Sequence, residues 1–337
     1  MKPSASRDDL PITGLASDSR LFPPRDPDSA LKGLEGPERT FCEAELALAR
    51  CEFNRARALT EQLLGDDKYI FVAVRMGLIA AIGLGDLKFF DQILRSLEEY
   101  RRRAPSVRSA LGVEIAEAWL RQFLWLPNGY PEWMCRFDLS DIPEPWRASV
   151  AYLGVKILIA QGSFESAYSA ASMFLNFVCP QQDISIATSY AKMACAIACR
   201  ETGREKEMMK WLGEAVQMLA PHGFFLPFLF FMYSSHRSPV EELVAEIAPE
   251  RALWLRKASK DYFANLIRAR NHYTGEHVTT ELSFREFYLA MLLKRDMSYK
   301  DLSERFGVTA GRMKNIVSAI YDKLGIHSSG ELRELVW

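Results

Sequence analysis

Apolar residues recur at three- and four-residue intervals along most of this chain, the period that lays one stripe along a helix. Alternation of apolar and polar positions, the mark of a half-buried strand, is almost absent. The pattern predicts an all-α protein. From about residue 38 to 220 it repeats one theme: an apolar helix, a tight turn, and a second helix opening on a small or aromatic residue. The turns are expected at residues 50–54, 84–88, 161–165 and 202–206. Small residues such as Ala56, Ala167, Ala170 and Ala171 stand where helices must approach closely.

The turn centres at 51 and 85 are 34 positions apart, the period of a tetratricopeptide repeat. Those at 162 and 203 are 41 apart, and the 77 positions from 85 to 162 accommodate two irregular repeats. This predicts a degenerate helical-repeat solenoid over 37–270, interrupted at Leu126-Pro127-Asn128-Gly129-Tyr130-Pro131 and at Pro143 and Pro145. Each pair of helices in such a stack covers only its neighbours, which leaves a concave groove able to receive a small molecule or a protein partner. The most apolar stretch, from Gly223 to Tyr233, has two readings. Phe224, Phe225 and Phe228 either line a ligand pocket or form the buried face that joins the last repeat to Trp254, and aromatic runs are more often core. Residues 239–270 predict one or two further helices, and a polar linker over 271–280 is expected to let the remainder of the chain move.

The C-terminal region, 281–337, predicts four short helices. Ser283-x-x-Glu286 and Ser328-x-x-Glu331 are capping boxes, in which hydroxyl and carboxylate each satisfy an orphan amide. Ser298 and Thr309 offer hydroxyls at two further helix starts. Between the caps, Leu289, Leu292 and Leu293, then Leu302 and Phe306, then Met313, Val317, Ile320 and Leu324 fall at helical spacing and imply one shared core. Gly307-Val308-Thr309 makes the short connection that a helix-turn-helix needs. With Met313 and Val317 inward, Arg312, Lys314, Asn315 and Ser318 face outward near the start of the third helix, the part of a recognition helix that meets base edges.

These residues resemble a LuxR-type DNA-binding domain. The resemblance rests on Leu282-Ser283-Phe284-Arg285-Glu286, Ser298-Tyr299-Lys300-Asp301-Leu302-Ser303, Arg312-Met313-Lys314 and Lys323-Leu324-Gly325-Ile326, four blocks in the family's order and spacing, and covers 282–335. It implies that Lys314, Asn315 and Ser318 face the major groove of double-stranded DNA, with Arg312 and Thr309 beside them and Lys300 near a phosphate. The preceding repeats loosely resemble the helical-repeat sensor region of maltose-type regulators, in which the superhelix receives the inducer. The ATPase module of those larger regulators has no counterpart, since no Gly-x-x-x-x-Gly-Lys-Ser/Thr loop occurs.

Composition narrows the picture. A chain of 337 residues suits two or three domains, and 49% hydrophobic with 25% charged residues is the balance of a soluble globular protein. No segment reaches the roughly 18 uninterrupted apolar residues of a membrane span. Residues 1–36, rich in Pro, Ser, Asp and Gly, predict a disordered arm without an apolar signal region. Six cysteines at no zinc-like spacing read as reduced cytoplasmic thiols, with Cys195 and Cys199 as small core residues. Between Thr279 and Trp337 there are nine basic and eight acidic residues, so nonspecific affinity for DNA is weak and a homodimer on paired half-sites is expected. The basic run of Arg251, Arg256, Lys257, Lys260, Arg268 and Arg270 reads as a solvated helix face. The adjacent carboxylates Asp66 and Asp67 fall in a turn, and no cofactor, metal or catalytic constellation is legible.

The chain thus reads as a bacterial, cytoplasmic one-component transcriptional regulator, with a small molecule or partner bound by the repeats and DNA bound by the C-terminal helices. The alternative is a non-enzymatic repeat-based interaction scaffold whose C-terminal domain docks on protein.

Overall fold

At each of the four turns expected in the repeat region one residue adopts the left-handed conformation: Cys51 (φ 60°), Gly85 (67°), Gly162 (77°) and Gly203 (72°). The next amide then bonds the carbonyl five residues back, as in Glu52 to Ala47 (2.8 Å), Asp86 to Ala81 (2.9 Å), Ser163 to Leu158 (2.9 Å) and Arg204 to Cys199 (2.9 Å). This closure satisfies the last carbonyls of one helix and turns the chain sharply into the next.

A computed structural model describes residues 31–103, 106–126, 128–177, 186–231, 239–275, 282 and 284–335; the expected disordered arm lies outside these up to residue 30. Among the described residues the chain is all-α, without strands. The first five helices are α1 (Gly36–Ala49), α2 (Phe53–Leu63), α3 (Ile70–Leu84), α4 (Leu87–Arg103) and α5 (Val107–Phe123). Each packs on the next, and α3, buried from Ile70 to Ile82, is the interior helix of the group, as its all-round apolar sequence requires. By contrast α4 is amphipathic, burying Phe89, Phe90, Ile93, Leu97 and Tyr100 along one stripe. After the interruption come α6 (Glu132–Cys135), α7 (Glu144–Ala160), α8 (Phe164–Phe177), α9 (Ile186–Glu201) and α10 (Glu205–Leu219), where α7 to α10 again pack in succession.

The chain then folds back. α11 (Leu226–Leu229), α12 (Pro239–Ile247) and the long α13 (Pro249–Thr274) follow, and α13 lies against α3, α4, α11 and α12. Its buried positions, among them Leu255, Ser259, Tyr262, Phe263 and Leu266, join the core that α1 to α5 build. The Phe225 amide bonds the Ala49 carbonyl at 2.8 Å, and Ser259 donates to the Leu229 carbonyl at 2.9 Å. The first helices are therefore packed against α13, which follows them by more than a hundred residues.

Two expectations need correction here. The linker expected from residue 271 begins later, because α13 continues through Asn271-His272-Tyr273-Thr274 and ends at Gly275 (φ 70°). Tertiary contacts outweigh the polar composition: His272 bonds Asp91 at 2.6 Å and stands edge-on to Phe90. Residues 276–280 of that linker lie outside the described residues. The basic face is not uniformly solvated either, since Arg270 is buried, donates to the Trp125 carbonyl and covers the Phe287 ring at 5.2 Å.

The C-terminal helices α14 (Phe284–Lys294), α15 (Tyr299–Phe306), α16 (Ala310–Leu324) and α17 (Ser329–Glu334) enclose a core of their own, including Leu289, Leu292, Leu302, Phe306, Met313, Val317 and Ile320. Trp125 packs against both this core and that of the repeats.

Candidate functional site

Three of the four expected helix caps close the C-terminal helices. Ser298 accepts from the Asp301 amide (3.2 Å), Thr309 from Arg312 (3.3 Å) and Ser328 from Glu331 (3.2 Å). The fourth, Ser283, lies outside the described residues. At α17 the box is reciprocal: the Glu331 carboxylate accepts from the Ser328 hydroxyl and the His327 amide, which hold its pKa below the usual carboxylate range. Gly307 (φ 61°) ends α15, and the amide of Val308 bonds the Ser303 carbonyl at 3.0 Å, so three residues suffice to redirect the chain into α16. The last helix is held by Lys294, which donates to the Leu335 carbonyl at 2.6 Å, and by the Arg333–Asp296 ion pair. Lys323 bonds both oxygens of Glu286 at 2.9 Å and ties α16 to α14.

At 100° per residue, Met313, Val317, Ile320 and Leu324 share one side of α16, while Lys314, Asn315 and Ser318 fall on the other. The first three of these apolar side chains are buried, and all three polar ones are exposed. Arg312, Thr309 and Lys300 are exposed as well, and among the described residues Lys300, Arg312 and Lys314 make no intramolecular ion pair. Lys314, Asn315 and Ser318 are thus brought together on one face, Arg312 and Thr309 lie at the start of the same helix, and Lys300 stands on α15. Asp322 continues the α16 face and Glu304 the α15 face, both exposed, so the surface is close to neutral.

The side of these helices that carries α14 and α15 is packed against the helices before them. Glu201, at the end of α9 and almost wholly buried, forms ion pairs with Arg305 of α15 and, at 2.9 Å, with Arg200. The Tyr288 hydroxyl donates to the same carboxylate at 3.0 Å and accepts from Arg305 at 2.6 Å. Burial raises the pKa of Glu201, but Arg200 and Arg305 outweigh it and the net displacement is downward. Arg295 adds a hydrogen bond to the Ala160 carbonyl.

Phe224, Phe225 and Phe228 are core residues, each no more than 3% exposed, with Phe225 against Trp254 and Phe228. A cavity of about 120 Å³ does open nearby, lined by residues of α5, α7, α9 and α14 among others, but the aromatic run contributes Pro227 and Phe230 to it instead. Compared with family models, with curated proteins and with solved structures, the chain matches none.

The docking residues Glu201, Tyr288, Arg295 and Arg305 escaped the sequence reading. Their separations along the chain, 87 positions for Tyr288 and Glu201, carry no local signal. The cavity residue Lys156 had one: it interrupts the apolar run Tyr152-Leu153-Gly154-Val155-Lys156-Ile157-Leu158-Ile159.

Proposed function

We propose that this chain is a one-component transcriptional regulator of LuxR type, whose α15–α16 helix-turn-helix binds double-stranded DNA and whose helical repeats sense a small molecule. The observation that carries the reading is the polar face of α16. Lys314, Asn315 and Ser318 are exposed together on a helix whose other side is anchored in an apolar core, and they lie on a different element from the docking residues Tyr288, Arg295 and Arg305. A helix presented in this way has the dimensions to enter a major groove, and Lys and Asn are side chains that read base edges there.

The near-neutral charge of the surface favours dimeric binding to paired half-sites, because each domain neutralises few phosphates. The test is selection of duplexes from a random pool by the full-length protein, followed by titration of the winning sequence. Enrichment of a two-fold symmetric sequence, with half-sites about one helical turn apart, is the expected result. Failure to enrich any sequence over competitor DNA sinks the reading and leaves the interaction scaffold.

A further inference from the structure

The cavity has a wall to which helices far apart in the chain contribute. Tyr288 and Met291 come from α14 and Arg295 from the turn after it, whereas Trp119 comes from α5 and Tyr152 and Lys156 from α7. Much of the lining is aromatic: Trp119 stacks on Phe123 at 5.4 Å, Tyr152 lies 6.2 Å from Trp119, and Tyr190 lies 6.0 Å from Tyr152. A volume of about 120 Å³ is in the size class that holds one benzene-sized ring.

Charge decides what such a ring carries. The Arg75 guanidinium is paired with Glu45, and the Glu201 carboxylate with Arg200 and Arg305. Lys156 has no such partner among the described residues: it is part-buried, it lines the cavity, and its ammonium faces the Phe230 ring at 5.7 Å. Burial alone acts on it, bringing its pKa down to about 8, so near neutral pH it is still charged. An ammonium held in an apolar wall without a counter-charge is costly unless something supplies one. Two further donors of wall residues, Arg75 Nε and Trp119 Nε1, are buried and lack acceptors.

We propose that this cavity binds a small aromatic carboxylate, its ring among Trp119, Tyr152 and Phe230 and its carboxylate paired with Lys156. The site deepens the sensing half of the function proposed above and rests on that reading for its effect on DNA. Because α14 supplies part of the wall, an occupant makes contacts that exist only while the C-terminal domain is docked. Binding therefore shifts the population toward the docked arrangement.

The experiment is calorimetric titration of the full-length protein, near neutral pH, with phenylacetate, phenylacetamide and phenethylammonium. Phenylacetate is expected to bind, and the amide, which keeps the shape and loses the charge, to bind about 30-fold more weakly or worse. Lys156→Met and Lys156→Gln should both erase the preference for the acid. Equal affinity for acid and amide, an acid affinity unchanged in both variants, or no binding of phenylacetate at millimolar concentration overturns the proposal. A duplex titration with and without phenylacetate separates the two readings. Protein that binds the acid and no duplex keeps the site and loses the regulator, whereas protein that binds duplex and none of the three probes keeps the regulator and loses the site.

Discussion

Glu201 and Arg305, one at the end of a repeat helix and the other on the first helix of the α15–α16 pair, form an ion pair almost out of reach of water. The relationship fixes where the C-terminal domain sits. It also places a titratable carboxylate between α9 and the C-terminal helices, where the Tyr288 hydroxyl reaches both of its oxygens and Arg200 one.

Glu201→Gln is expected to lower the stability of the docked state by about 3–5 kcal/mol, the usual result of removing one member of a buried pair. Hydrogen exchange of α14 amides should rise while that of α3 stays unchanged. The pH dependence has a definite sign. A carboxyl whose folded pKa lies below its unfolded value contributes stability above the unfolded value and loses it as pH falls through the folded one. Docking followed by exchange should hold through the ordinary carboxylate range and fail only under more acidic conditions; release already at mildly acidic pH would contradict the assignment.

Substitutions on the exposed helix faces should separate two kinds of contact. Lys314→Ala or Asn315→Ala is expected to cost about 1–3 kcal/mol on the selected site and to relax preference at one base position. Lys300→Ala should weaken all duplexes alike and reduce the slope of log affinity against log salt by about 0.9. Thermal melting should be unaffected in all three, because none of these side chains is buried. Identical affinities for parent and variants would show that α16 does not read DNA.

Gly85 and Gly203 occupy equivalent turn positions with φ 67° and 72°, but a Cβ at Gly85 would meet Asn265 Oδ1 at 2.6 Å, while at Gly203 nothing lies within 4 Å. Gly203→Ala should cost about 1–2 kcal/mol from the left-handed backbone alone. Gly85→Ala should cost more, because Asn265 of α13 must also move. Denaturant melts of the two variants measure the difference, and equal losses would mean that α13 does not press on this turn.

Lys156→Met is expected to raise the melting temperature near neutral pH. A lysine whose folded pKa is lowered binds fewer protons in the folded than in the unfolded state between about 8 and 10.5, so the parent gains stability as pH rises across that window. The advantage of the methionine variant should shrink over the same range, and the affinity for phenylacetate should fall as pH rises through about 8. The other titratable groups of the wall, Arg75, Glu201, Arg295, Tyr152, Tyr190 and Tyr288, are present in both proteins. Burial pushes Tyr152 and Tyr190 upward, which keeps both neutral across the window. An advantage that is independent of pH would point to packing instead of charge.

Local chemistry was legible in the chain. The turns at Gly85, Gly162 and Gly203 follow from glycine breaking an apolar helical period, and the caps at Ser298, Thr309 and Ser328 follow from one hydroxyl reaching an amide three residues on. The outward face of α16 is equally local, because burial of Met313, Val317 and Ile320 leaves Lys314, Asn315 and Ser318 only one direction. The end of α13 was misplaced because His272 finds its partner, Asp91, 181 positions away.

The order of residues was thus enough to set the helices, their turns, three of the caps and the residues displayed on the last long helix, since each depends on neighbours within a few positions. Packing alone decided that α13 lies against α3 and α4, that Glu201 receives Arg305, and that Lys156 lines a cavity to which α14 also contributes. Those outcomes depend on which surfaces meet, and charges brought together from distant helices interact strongly only after packing has removed the water between them.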